Sequence, residues 1–364
     1  MAKMSLAIKY RPKTFDDVCE QGAIKDILLQ QLNTGGFQHA YLFCGPAGCG
    51  KTTAARIFAN DINKGRGSPI EIDAASNSGV DNIRTVIEDA KKKSLDSEYT
   101  VYIVDECHSL SNGAWQAMLK LLEEPPKYTI FILCTTDPQK IPATIISRVQ
   151  RYNFSKISTN TIVQRLKYIM ESEAEEITNG VFEHLDELSY YSYDTEAIEY
   201  IAKMADGGMR DAITMLDKCV SLSNCDLTLE DVVKALGTVD YGVHFDLFEA
   251  LYKKDGPIAI KIIEDIYSSG RDIKIFIKQF YYFLIDVCKY EISKTFEYIQ
   301  IPQIEEYKTR LDAIPKSRSG ISPSLQCLSL IGDVVNFIKW ESNPRYIIEA
   351  SILNYLATNS TKIE

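Results

Sequence analysis

One string constrains this chain more than anything else in it. Gly45-Pro46-Ala47-Gly48-Cys49-Gly50-Lys51-Thr52 fits the spacing G-x-x-x-x-G-K-[ST]. The apolar run Ala40–Cys44 (AYLFC) precedes it, and the helical pattern TTAARIFAN, which opens on Thr52-Thr53, follows it. Such a loop works only as the turn between a strand and a helix. Its glycines let the backbone wrap close to phosphate groups and aim amide N–H groups at them, and the helix adds the positive end of its dipole. Lys51 is expected to neutralise β/γ-phosphate charge, and the Thr52 hydroxyl to ligate Mg²⁺.

Further apolar runs at Ile70–Asp73, Tyr99–Asp105 and Thr129–Thr135 read as strands of a buried parallel sheet. Between them, Val80, Ile83, Ile87 and Ala90 repeat at helical spacing, and a second helix covers Ala114 to Leu122 before Pro125-Pro126 stops it. This alternation predicts a doubly wound α/β domain up to about residue 155. The run ending in Asp105-Glu106 delivers two carboxylates to the strand end at which ligands bind in such sheets. Asp105 is expected to hold Mg²⁺ through water, and Glu106 to polarise an attacking water as general base. Asp105-Glu106-Cys107-His108 also spells the D-E-x-H of one helicase class, but a single phosphate loop followed by helices argues against that class. His108 reads as a local hydrogen-bonding residue.

After Phe154 the strand signals vanish. Apolar stripes at Ile162, Leu166 and Ile169, at Ile198, Ile201 and Ala205, and at Ile213, Leu216 and Val220 predict helices, broken at Gly207-Gly208. Thr228-Leu-Glu-Asp231 reads as a helix cap, and the chain beyond about 237 is helical again. With 50 acidic against 40 basic side chains, the net charge of −10 disfavours coating nucleic acid by bulk charge. Nine cysteines without zinc-like spacing, several in strand runs, read as small buried hydrophobes in a reducing compartment. The apolar stretch Phe280–Cys288 is far shorter than a membrane span. A soluble, cytoplasmic protein without membrane contact is expected.

Residues 5 to about 240 resemble the ATPase and lid regions of the bacterial DNA polymerase III clamp-loader motor subunit, gamma/tau. The strings that carry the resemblance include Ala7-Ile-Lys-Tyr10-Arg11-Pro12, Phe15-Asp-Asp-Val18, Ile70-Glu-Ile-Asp-Ala-Ala-Ser-Asn77, Glu123-Glu-Pro-Pro126, Thr135-Thr-Asp-Pro-Gln-Lys-Ile-Pro142, Ser147-Arg148 and Gly207-Gly-Met-Arg-Asp-Ala212. The resemblance implies an AAA+ P-loop ATPase domain with a parallel sheet over 1–155, a helical lid over 156–225 and a helical collar or oligomerisation domain over 226–364. It assigns Tyr10, Arg11, Pro12 and Val18 to the adenine and ribose, with the loop from Gly45 to Thr53 holding the phosphates. Thr136 corresponds to sensor 1 at the γ-phosphate, Arg210 to sensor 2, and Arg148 to an arginine finger acting on ATP bound by the neighbouring subunit. By itself Arg148 reads as a surface or ion-paired arginine; only the resemblance assigns it the finger role.

The implied function is an ATP-hydrolysing, DNA- and clamp-stimulated motor that loads a sliding clamp onto primer-template DNA, within a pentameric ring of like subunits, using ATP and Mg²⁺. Rival readings are a nucleotide-binding structural subunit without turnover and a related AAA+ DNA-remodelling ATPase. In this family DNA meets helix N-termini facing the ring axis, here those following Ser76-Asn77 and Ser111-Asn112, with Arg84 one turn in. Lys91-Lys92-Lys93 reads instead as a solvated helix end. Three departures from the family stand out. Residues 60–69 replace its four-cysteine module, so no zinc is expected; Val149 replaces the cysteine after the finger; and the tau extension is expected to be missing. A short form without zinc suits a phage or a divergent small genome.

Overall fold

The computed structural model describes residues 4–92, 96–178, 192–223, 226–236, 241–315, 322–338 and 343–358. Lys93 and Cys225 lie outside them. The chain divides into two compact units, one of residues 1–192 and 201–221, the other of residues 193–200 and 222–364.

In the first unit, helices α1 (Leu6–Lys9) and α2 (Gly22–Thr34) precede β1 (Ala40–Cys44), α3 (Lys51–Ile62), β2 (Ile70–Asp73), α4 (Val80–Ala90), β3 (Thr100–Asp105), α5 (Asn112–Glu123), β4 (Thr129–Thr135), the short α6 (Ala143–Ile146), β5 (Gln150–Asn153) and α7 (Thr159–Thr178). After α8 (Thr195–Met204), α9 (Met209–Leu222) completes it. The five strands form one parallel sheet in the order β2-β3-β4-β1-β5. Alternate residues serve opposite faces, as the two-residue period of a strand requires. Tyr41, Phe43, Ile103 and Ile132 pack with Phe58 of α3, whereas Leu42, Tyr102, Val104 and Leu133 pack with Trp115 and Met118 of α5. Two helical layers therefore enclose the sheet. In β1 and β4, apolar runs without polar alternation follow from this double cover.

The edges depart from the sequence reading. Residues Ile70 to Asp73 form a strand, but an exposed edge strand rather than a covered one, with Ile70 44% exposed. At the other edge β5 has no signal in the sequence: in Gln150-Arg-Tyr-Asn153 only Tyr152 is buried, because one neighbour and one covered face demand one apolar side chain. β3 begins at Thr100; the Tyr99 amide donates instead to Asn63 Oδ1 at 3.0 Å.

The second unit is helical: α10 (Leu229–Leu236), α11 (Tyr241–Tyr252), α12 (Gly256–Ser268), α13 (Ile273–Ser293), α14 (Glu305–Asp312), α15 (Pro323–Phe337) and α16 (Pro344–Thr358). The Thr228 cap forms as read: its hydroxyl accepts from the Asp231 amide at 3.2 Å and donates to the Asp231 carboxylate at 2.6 Å. The stretch Phe280–Cys288 lies inside α13, which buries Phe276, Phe280, Phe283, Leu284 and Val287 against α11 and α15. Asp286 interrupts that run because its carboxylate accepts the Gln300 amide at 2.7 Å, fixing the chain that leaves α13. No helix among the described residues is long and apolar enough to cross a membrane.

Candidate functional site

At the C-terminal ends of β1 and β3, the phosphate loop and the paired carboxylates face one cleft of about 310 Å³. The loop turns at Gly48, whose φ of +70° is costly for any residue with a Cβ. A second constraint acts there: a Cβ on Gly48 would stand 2.8 Å from Gly208 Cα, because the Gly207-Gly208 turn lies directly on the loop and the Met209 amide donates to Gly48 O at 3.0 Å. That seam brings Arg210, in the first turn of α9, to the cleft.

Lys51 opens α3 and is almost fully buried; its Nζ donates to Gly45 O at 2.9 Å and Pro46 O at 2.7 Å. A buried ammonium needs such partners, and the two carbonyls hold it over the loop. Thr52 Oγ1 donates to Asp105 Oδ2 at 2.9 Å, so the hydroxyl and carboxylate expected at the metal are adjacent. This donor set fits Mg²⁺, which favours oxygen ligands and typically takes few from protein.

Glu106 has a left-handed backbone, φ +46°, set by the sharp exit from β3, where its amide donates to Asp105 Oδ1 at 3.0 Å. Its Oε2 accepts from Thr136 Oγ1 at 3.0 Å and lies 3.2 Å from His108 Nδ1. The same His108 nitrogen is 3.2 Å from the hydroxyl of Thr135, which is fully buried and also accepts the Asp137 amide at 3.0 Å. One carboxylate oxygen is thus held from β4 and from the turn after β3. The His108 reading as a local hydrogen-bonding residue holds, and its partner is the candidate base. Thr135 went unnoticed in the sequence, since within an apolar strand run it looks like filler.

Tyr10, Arg11, Pro12 and Val18 line the same cleft. The segment carrying them is tied to α7 and α9: Tyr10 Oη donates to Glu173 Oε1 at 2.8 Å, Arg165 Nη2 donates to Tyr10 O at 3.1 Å, and the Leu6 amide donates to Asp217 Oδ2 at 3.1 Å. Arg165 and Arg56 also line the cleft, and the sequence reading singled out neither. Arg56 makes a two-pronged pair with Glu71 at 2.6 and 2.5 Å. Ala47 to Thr53 also line it; Gly45 and Pro46 act through their carbonyls.

Thr136 and Arg148 do not line the cleft. Thr136 reaches it through Glu106. Arg148 follows α6, and its guanidinium is ion-paired with Glu123 at 2.8 Å on its own chain. The candidate DNA residues gather at the starts of α4 and α5, joined by the Ser111 amide donating to Ser78 O at 3.2 Å. Most of their side chains have internal partners. Ser111 Oγ caps α5 by accepting the Ala114 amide, Ser76 and Asn77 bond to Asp73, and Arg84 pairs with Asp81 at 3.2 Å.

Burial pushes the thiols of Cys44, Cys49 and Cys134 upward, which leaves them inert small hydrophobes in the core. Cys49 sits in the phosphate loop itself, yet only 1% of it is exposed.

The parallel sheet, the phosphate loop, the paired carboxylates and the adjoining lid helices define a P-loop ATPase of the AAA+ class. Three family models match successive segments: the DNA polymerase III delta subunit over residues 68–158, the ATPase lid domain of the DNA polymerase III clamp loader subunit over 176–225, and domain III of DNA polymerase III subunits gamma and tau over 227–317. The tau subunit of Bacillus subtilis (strain 168) is 35% identical over 384 residues, covering 99% of this chain and 64% of the relative. Tau of Escherichia coli (strain K12) is 31% identical, with 74% of this chain and 43% of the relative covered. The gamma subunit of Buchnera aphidicola from Acyrthosiphon pisum is 29% identical, with 97% and 98% covered. Over most of its length the chain is similar to DNA polymerase III gamma and tau subunits. It spans less than two thirds of the length of the Bacillus and Escherichia relatives.

Proposed function

We propose that the chain is the ATP-hydrolysing motor subunit of a sliding-clamp loader, which places the clamp on primed template DNA. The observation that carries the reading is the meeting of Lys51, Thr52, Asp105, Glu106 and Arg210 at one cleft, in a chain similar to gamma and tau subunits. In this reading residues 1–155 are the motor, 156–225 the lid and 226–364 the collar through which like subunits form a ring of five.

The loop amides and Lys51 bind the phosphates; Thr52 and, through water, Asp105 would hold Mg²⁺, which would supply charge neutralisation. Glu106, with Oε2 engaged by Thr136 and His108, takes the proton of the attacking water on its other oxygen. Thr136 links that base to the γ-phosphate, and Arg210 joins the lid to the phosphates. Arg148 serves the neighbouring subunit's ATP, a use supported by its position outside its own cleft. Primed DNA runs along the starts of α4 and α5, held mainly by backbone amides, so an acidic chain suffices. The short connection 60–69 leaves no role for zinc.

The test is steady-state ATP turnover of the full chain with its partner subunits, with and without clamp and primed DNA. Turnover rising with both additions is expected. Absence of turnover favours the structural-subunit reading, and turnover indifferent to both additions favours a different AAA+ remodeller.

A further inference from the structure

The sequence weighs two fates for Arg148, an ion-paired arginine or a finger offered to a neighbour, and the structure shows how one residue serves both. Its Nη1 donates to Thr144 O at 2.7 Å and Ser147 Oγ at 3.1 Å; its Nη2 donates to Glu123 Oε1 at 2.8 Å. A guanidinium has five N–H donors. Three are engaged, and the Nε–H with one Nη2–H have no partner among the described residues. Nε and Nη2 form the side of a guanidinium that grips an oxyanion in a fork, and on that side the Nε–H is unengaged. Thr144 and Ser147 belong to the same turn as Arg148 and move with it. Glu123 does not: it ends α5, on the other side of Pro125-Pro126 and β4, and it is the only anchor of the guanidinium to a separate element among the described residues.

We propose that Glu123 is a positioning residue for the Arg148 finger, fixing its plane so that the free edge faces the neighbouring subunit's γ-phosphate. The inference rests on the finger reading above. Magnitudes favour positioning over a latch that hides the finger. Both side chains are substantially exposed, 35% and 45%, so the pair shifts an equilibrium by at most about fivefold. That is too little to withhold a guanidinium from a phosphate. The rotamer freedom of an unanchored arginine corresponds to about thirtyfold, and an anchor that removes part of it beforehand raises the rate of every turnover. Glu123 also stands at the C-terminal end of α5, where a negative charge is unfavourable to the helix dipole, so helix stability does not account for it.

The experiment compares Glu123→Ala, Glu123→Gln and Arg148→Ala in the full chain reconstituted with its partner subunits, clamp and primed DNA, reading kcat and KM for ATP separately. Expected are a roughly two- to fivefold fall in kcat for Glu123→Ala, KM within about 1.5-fold, and recovery to within about 1.5-fold of the parent in Glu123→Gln, which keeps a carbonyl acceptor. Thermal midpoints within about 2 °C of the parent exclude misfolding. Arg148→Ala falls further, by about 10³-fold or more. If Arg148→Ala falls while Glu123→Ala is unchanged or faster, the positioning role is overturned and the finger reading survives. If Arg148→Ala is unchanged, the finger reading itself is overturned.

Discussion

Among the described residues of the first unit, each of the five buried polar side chains has a partner: Lys51 in the loop carbonyls, Thr135 in His108 and the Asp137 amide, Gln21 in Ser155 O, Thr129 in Ala90 O, and Glu173 in Tyr10. The second unit keeps that rule at Asp286, which accepts the Gln300 amide, and at Ser324, which meets Ser322 and Glu291, but departs from it at two other groups. His244, 2% exposed, has no hydrogen bond at either ring nitrogen and lies among Phe276, Phe280 and Phe283 at centroid distances of 5.0 to 5.7 Å. Lys254 likewise has no hydrogen bond at its buried Nζ, which sits 3.3 Å from the Tyr355 ring centroid. Several polar groups of the first unit, Lys51 and Thr135 among them, hold the candidate cleft in shape, and leaving one unpartnered would disturb it. In the second, aromatic packing dominates, and a neutral imidazole is tolerated as one more flat ring. The lesson is where each unit is vulnerable: the first to loss of a functional group, the second to loss of volume or gain of charge.

The sharpest break of this contrast is Glu106→Gln. It keeps the side-chain volume and an oxygen for Thr136 but removes the proposed base, so ATP turnover should fall by about 10²–10⁴ with nucleotide affinity nearly unchanged. Single-turnover kinetics beside a binding titration will show it, and an equal loss of affinity would mean that Glu106 is mainly a binding group. Next is Phe280→Ala, which empties the centre of the second core and should cost about 3–5 kcal/mol in urea unfolding of that unit. ATP affinity is expected to persist in the mutant at low urea; its loss would show that the units do not unfold separately.

The smallest effect concerns acid. Burial lowers the His244 pKa to about 3. Unfolded, a histidine takes up a proton near pH 6.5, whereas this one in the folded unit does not until about pH 3. Its contribution to stability is therefore complete above pH 6.5 and is lost as the pH falls, by roughly 2 kcal/mol between pH 6.5 and 5. Burial pushes the Asp286 carboxyl the other way, upward, so its linkage has the opposite sign. The measurement is consequently the difference between the parent and His244→Leu in denaturant midpoint across that window. Equal slopes in the two proteins would refute the account.

The same contrast explains what was legible in the sequence. The phosphate loop and the paired carboxylates were readable because phosphate chemistry ties particular residues to a particular backbone path, and local order alone displays it. The partners of those residues were not readable. Thr136 reaches Glu106, and Thr135 reaches His108, only after β3 and β4 pair, and Glu123 reaches Arg148 only after the chain has returned through β4. At the sheet edges, β5 was silent because a single buried Tyr152 leaves no periodicity to detect. In the second unit, periodicity disclosed the helices and the Thr228 cap, yet nothing in the string Tyr-Gly-Val-His244-Phe marks its histidine as enclosed by rings.

The contact between Gly48 and Gly208 has a consequence for how such a chain can change. Each is already the smallest residue available: a Cβ on the first meets the backbone of the second, and a Cβ on the second would stand 2.7 Å from Asp211 Oδ2. Most packing contacts can drift, because an enlargement on one side can be offset by a reduction on the other. At Gly48 it cannot, because the atom in the way is the backbone of a residue that has no side chain to shed, whereas at Gly208 the tip of Asp211 can turn aside. The turn that opens α9 can therefore vary on its own account, while Gly48 cannot vary without displacing that turn.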